Sequence, residues 1–273
     1  MTVMNFERHE VQRYFEGLLG CTDVTQFKSY KSALATYTLS ANDVAAISPL
    51  LIHDTEALYI KALQTFSQAL AGMHRKEFAW AIVKMYYSVF YAMRCELHAS
   101  SVISVKNGSI FYTSNTVGAT FNSIQEKGSH QTYIKLRKTL PASVISHDTL
   151  LDNDIEAGVD VYSWMCSNRE RVNYHSKHFP DPEPDDVLLK IYNDYVLSHK
   201  MTDLLNLYES DILYCFDTDH ATVAAPYRKL RICRDLLHGR TVKSAPELIK
   251  LDNVRAQLLS LRIDSSVVDR LML

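Results

Sequence analysis

Three features of this sequence predict an all-α fold. Gly and Pro are scarce, 8 and 7 in 273 residues, too few for the turns of a loop-rich β architecture. Apolar residues recur at helical spacing over most of the chain. The 16 Tyr cluster inside those helix-like segments. The expected architecture is a helical bundle over residues 51–210, with helical extensions at 1–50 and 211–273 and at most one small β-hairpin. The length suffices for one large core or two smaller ones.

The elements are justified in chain order. FERHEVQRYFEGLLG sets Val11, Phe15, Leu18 and Leu19 at helical spacing and stops at Gly20. From His53 a second helix carries Leu58, Leu63, Phe66 and Leu70 on one face, with Asp54 or Thr55 as its N-cap and Gly72 at its end. RKEFAWAIVKMYYSVFYAMRCELHASS comes next, with Phe78, Ile82, Met85, Val89 and Ala92 on one stripe and Tyr86, Phe90 and Met93 on the adjacent one. It is apolar over more than half its surface, which marks the central helix of a bundle. Residues 100–120 are β-prone and turn-rich, a small hairpin or ordered loop centred on 102–113. FNSIQEKGSHQTYIKLRKTL returns to helix, and residues 151–179 make another. FPDPEPDD (179–186) must stop that helix. DVLLKIYNDYVLSHKMTDLLNLYESD reads as one long amphipathic helix, and the last fifty residues as two or three short ones.

Composition narrows the function. Twenty-nine Lys+Arg oppose 31 Asp+Glu, so no global field draws the chain to nucleic acid or membrane; any such contact must be local. Five scattered cysteines with no CxxC or zinc spacing point to a reducing, cytoplasmic setting and to no metal or cofactor. The start carries charges where an export signal needs an apolar core, and no run of 18 apolar residues exists, so neither export nor a membrane span is expected. A glycine-rich phosphate loop, HExxH and GxSxG are all absent, which removes the NTPase, zinc-protease and α/β-hydrolase readings.

The chemistry-bearing stretch is SNRERVNYHSKHF (167–179), directly after the apolar VYSWM. If residues 160–178 stay helical, Asn168, Arg171, His175 and His178 share one face, and Arg169 and Asn173 the adjacent one above Cys166 and Tyr162. A structural reading stands beside the functional one: cations at a helix C-terminus complement the macrodipole, and Arg169 can pair with a core carboxylate.

Two pieces in this order, AWAIVKMYYSVFYAMRCELHASS and, some seventy residues on, RERVNYH, resemble the HEPN superfamily (higher eukaryotes and prokaryotes nucleotide-binding) over about residues 54–210. The resemblance implies a bundle of four to five helices. Many members are metal-independent ribonucleases; others are inactive partners, adaptors or nucleotide binders. In active members an Arg, often followed by a polar residue, precedes a His by four to six residues. Arg169 with His175 fits, with Glu170 as the polar follower. Arg171 with His178 also fits, and Arg169 with Tyr174 matches a variant ending in Tyr. The Arg-Asn opening usual in the family is missing.

Metal-free RNA cleavage needs a base for the 2′-hydroxyl proton, an acid for the 5′-oxygen and a cation for the phosphorane charge. His supplies the first two and Arg the third. One chain holds one motif; the family's solution is a dimer with two motifs face to face. The resemblance therefore implies RNA as substrate, a homodimer or partner complex, no membrane, and the setting of a toxin–antitoxin or antiviral effector. Arg169, Arg171 and His175 are the expected catalytic groups, with Glu170, Asn173, Tyr174 and His178 contacting RNA or supporting. The alternative is a non-catalytic adaptor or nucleotide-binding subunit. YRKLRICRDLLHGRTVK (227–243) holds a second formal match, Arg231 with His238, and reads as a solvated basic helix; Tyr86, Tyr87, Phe90 and Tyr91, and His98, read as core.

Overall fold

The computed structural model describes residues 8–126, 128–179, 181–239 and 244–273. It is mostly helical, as expected. The β content exceeds one hairpin: the described residues hold a three-stranded and a two-stranded antiparallel sheet. The chain divides into two compact units, residues 1–56 with 95–146, and 57–94 with 147–273. No boundary falls at 50/51, because a single helix, α3 (Ala41–His74), runs through it with Pro49 inside.

In the first unit, α1 (Glu10–Leu18), α2 (Lys31–Thr36), the start of α3 and the end of α4 (Phe78–Ala99) surround a sheet of order β1-β2-β3. The hairpin lies where the β-prone stretch predicts it, β1 (Val102–Asn107) against β2 (Ser109–Ser114), turning at Gly108 with φ +69°. The third strand, β3 (Asn122–Ile124), occupies residues expected to be helical, and α5 (Gly128–Thr139) starts after it. Val11, Phe15, Phe27, Leu34, Ile47 and Phe111 anchor the core. The helix expected from Asp54 begins thirteen residues earlier, because Ser40 and Asp43 start it: Asp43 accepts from the Ser40 N–H at 2.8 Å and its hydroxyl at 2.6 Å. Burial alone would raise the Asp43 pKa, but these bonds and those from Tyr14 and Tyr37 hold it at about 2. Asp54 instead caps α1, accepting the Glu10 and Val11 N–H groups at 2.7 and 3.0 Å.

In the second unit α3 and α4 pack together through Ser88 Oγ, which donates to the Ala62 carbonyl at 2.9 Å. Residues 151–160 are not part of the continuous helix that the sequence predicts over 151–179. A short α6 (Thr149–Asp152) leads into a hairpin of β4 (Asp154–Glu156) and β5 (Val159–Asp160), turned by Gly158 at φ +74°, and α7 (Val161–Glu170) begins only there. The helix expected over 186–211 is two, α8 (Asp186–Ile191) with a π turn to Val196, then α9 (Met201–Ser210); His199 at φ +57° breaks them. The described residues of the C-terminal region hold three α-helices, α10 (Ala221–Leu237), α11 (Ala245–Ser260) and α12 (Ser265–Asp269).

The described part of the basic segment, residues 227–239, is not a solvated helix. Within α10 Tyr227, Leu230 and Cys233 are buried, and Lys229 is fully buried, its Nζ 3.0 Å from Asp148 Oδ2. Arg231 binds Glu209 at 3.0 Å. Residues 240–243 of that segment lie outside the described residues, as does the start of the first expected helix, Phe6 and Glu7.

Candidate functional site

Helix α7 is set by its cap and its buried face. Asp160 accepts the Ser163 N–H at 2.9 Å and the Ser163 hydroxyl at 2.7 Å. Val161, Tyr162, Trp164, Met165, Cys166 and Arg169 turn inward, and Trp164 Nε1 donates to Glu156 Oε1 at 3.1 Å. The α-helix does not continue to residue 178. After Glu170 it widens into a π turn, Arg171–His175, closed by the Ser176 N–H on the Arg171 carbonyl at 2.9 Å. Such turns are rare and recur at functional sites. The wider turn shifts the angular positions of the residues after Glu170, and the chain leaves the helix at Ser176, so the expected face is cut short: Arg171 Nη2 still donates to Asn168 Oδ1 at 3.4 Å, but His178 lies beyond the helix.

The two arginines have different fates. Arg171 extends to Asp185, Nη1 to Oδ2 at 2.8 Å and Nη2 to Oδ1 at 2.6 Å. Asp185 is buried and also caps α8 through the Val187 N–H. The pair therefore joins the π turn to the next helix, and the carboxylate raises the Arg171 pKa. Arg169 turns the other way. Its side chain is 9% exposed, and its guanidinium carbon lies 5.6, 5.7 and 5.6 Å from the ring centres of Tyr86, Tyr87 and Tyr174. Burial works against the charge of this guanidinium, but its tyrosine neighbours outweigh it and its pKa is raised. Its acidic neighbour is Glu170, at 3.4 Å and half exposed.

Tyr174, 69% exposed, is the outer ring of this stack. Asn173 is half-buried; His175 and His178 are exposed, His178 beyond the helix. The structure thus joins Arg169, Glu170 and Tyr174 and separates Arg171 from them. No family model matches the chain, and no curated protein and no solved structure matches it either.

His98, read as core, is buried with Nε2 3.1 Å from Ser104 Oγ; His130 lies half-buried on α5 in the first unit. Among the described residues no group of three His, Cys, Asp or Glu side chains is placed to hold a metal ion, and no described helix is long and apolar enough to cross a membrane.

The tyrosines of α4 are not all core. Tyr86 and Phe90 are buried, but Tyr87 and Tyr91 are half-buried and join the site. Two members escape sequence reasoning. Asp185 reads as part of a helix-stopping acidic run, yet it fixes Arg171. Trp80, 50% exposed, rests against Phe179 with ring centres 6.2 Å apart. Trp80, Lys84, Tyr87 and Tyr91 stand at i, i+4, i+7 and i+11, a face the sequence spells out.

Proposed function

We propose that the chain is a metal-independent endoribonuclease of the HEPN type that works through Arg169 and His175. The supporting observation is the split between the arginines. Both oxygens of Asp185 hold Arg171, whereas Arg169 keeps its charge on tyrosine faces with one half-exposed carboxylate nearby. A half-exposed ion pair at 3.4 Å neutralises little. The His at the right distance from Arg169, His175, is exposed at the end of the π turn.

In this reading two copies meet at their π turns. One His175 takes the 2′-hydroxyl proton while the 2′-oxygen bonds phosphorus; His175 of the partner subunit, as imidazolium, gives a proton to the departing 5′-oxygen. The products are a 2′,3′-cyclic phosphate and a 5′-hydroxyl, and the Arg169 charges stabilise the phosphorane between them. Tyr174 holds Arg169 in place, Arg171 holds the turn, and Glu170, Asn173 and His178 line the approach. The reading places the protein in the cytoplasm as a homodimer or with a partner protein, as the effector of a toxin–antitoxin or antiviral system.

The burial of Arg169 favours one second reading, a non-catalytic adaptor or nucleotide-binding subunit in which the tyrosine stack is only structural. Incubating the purified chain with RNA and a chelator separates them: fragments ending in 2′,3′-cyclic phosphate support the nuclease, and intact RNA supports the adaptor.

A further inference from the structure

We propose that the face of α4 from Trp80 through Lys84 and Tyr87 to Tyr91 is a track for single-stranded RNA, stacking unpaired bases on the open rings at its Trp80 end and pairing phosphates with the cations along it. The inference rests on the reading of the chain as an RNA-directed protein, but not on cleavage.

Rings and cations alternate along this face. Lys61 Nζ sits 4.5 Å from the centre of the Tyr91 ring. Tyr91 stacks on Tyr87 at 5.9 Å with 26° between planes, and Arg169 covers Tyr87. Lys84 lies between Tyr87 and Trp80 in sequence and is half-buried; Lys61 is exposed. Partial desolvation of the Lys61 ammonium, and secondarily the neighbouring Arg94, lower its pKa. At the far end Trp80 and Phe179 are 50% and 53% exposed, so each has ring surface open to a base.

The platform is held in place. Asp181 Oδ1 accepts the Ala79 N–H at 3.1 Å in the first turn of α4, which ties the Phe179 segment to that helix. Two carboxylates near the track are already engaged. Glu77 takes both Arg75 Nε and Nη2 at 2.9 Å, and Glu170 faces Arg169.

An aromatic row interleaved with cations suits unpaired nucleotides, because every base has a face to stack and every linkage an anion. Eleven residues of helix span about 17 Å, room for roughly four to five nucleotides at about 3.4 Å each. An RNA duplex keeps its bases stacked inside and offers none to Trp80. An acidic peptide would meet the lysines but leave Trp80 and Phe179 without a role.

The test is fluorescence anisotropy with the full-length chain and a labelled 2′-O-methyl single strand, which lacks the attacking hydroxyl and so reports binding alone. Trp80→Ala should weaken binding roughly ten-fold. Lys61→Ala with Lys84→Ala should lower the log–log salt slope by about 1.4, two phosphates at about 0.7 each. All three substitutions lie on exposed or half-buried positions, and circular dichroism should show an unchanged fold. Equal binding by wild type and these variants, tighter binding of a duplex or of single-stranded DNA, or competition by an acidic peptide with no effect of Trp80→Ala would each overturn the track. If those variants bind like wild type while wild type still cleaves unmodified RNA, the track fails and the nuclease reading stands. If wild type neither binds nor cleaves RNA, both fail.

Discussion

Arg171 and Asp185 meet fork to fork, both carboxylate oxygens taken at 2.8 and 2.6 Å. Planar two-point pairing is the strongest form of this interaction, and here it closes the π turn onto the N-terminus of α8. The arginine that a continuous helix would place on one face with His175 and His178 is thereby bound to a carboxylate.

Arg171→Ala should therefore act on stability. It leaves the buried Asp185 carboxylate with the Val187 N–H at 3.3 Å as its remaining bond, at a cost of about 1–3 kcal/mol. The midpoint of denaturant unfolding should fall accordingly, while cleavage per folded molecule stays within a few-fold. A large loss of cleavage with an unchanged midpoint would assign Arg171 to the chemistry instead.

The buried ion pair in the second unit gives a sharper stability prediction. Lys229 and Asp148 are both buried, and Asp148 also takes the Tyr162 hydroxyl at 2.8 Å and the Leu150 N–H at 3.2 Å. Lys229→Met takes a buried cation away from a buried carboxylate and should cost about 3–5 kcal/mol. Adding Asp148→Asn removes that charge, keeps an acceptor for Tyr162, and should recover part of the loss. No recovery in the double variant would count against an electrostatic cause.

The legibility of these features depends on their range along the chain. The hairpin at 102–114 and the apolar α4 are local patterns of spacing and turn residues, so both can be read directly. The sequence also places two Arg–His pairs in one short stretch, but it cannot choose between them. That choice depends on Asp185, fourteen residues past Arg171, and on the tyrosines of α4. The burial of Lys229 depends on a partner 81 residues away. The hairpin before α7 hides because its strands are short and polar, with Gly158 the lone turn signal. The break at His199 carries no Gly or Pro at all, so periodicity runs straight through it. Asp54 looks like a cap and is one, but for α1 rather than for its own helix.

Acid should weaken the chain through His220. It is buried beside Tyr208, whose hydroxyl is 3.0 Å from Nδ1, with the Tyr195 and Tyr214 rings around it. Burial lowers its pKa below the ordinary 6.5, against the pull of Asp217 and with the help of Lys190. The folded chain thus binds fewer protons than the unfolded one. Its contribution is full above about pH 6.5 and is lost as pH falls through the lower folded value. His220→Gln should flatten the wild-type fall in melting temperature below about pH 6.5; parallel curves would show that other groups cause it.

Asp54→Ala should loosen α1, because two N–H groups at its start lose their acceptor. Loss of an N-cap costs about 0.5–2 kcal/mol. Hydrogen exchange should quicken first at Glu10 and Val11. Unchanged protection there would mean that packing alone holds the helix.

The initial rate of cleavage of a labelled single-stranded RNA, in excess chelator, by wild type and by His175→Ala tests the proposed chemistry most directly. His175 is exposed, so its loss should leave the circular dichroism and melting curves unchanged. Removal of the proton-transfer group should lower the rate by about 10²–10⁴-fold. Equal rates for the two proteins, or no cleavage by wild type, would contradict the assignment.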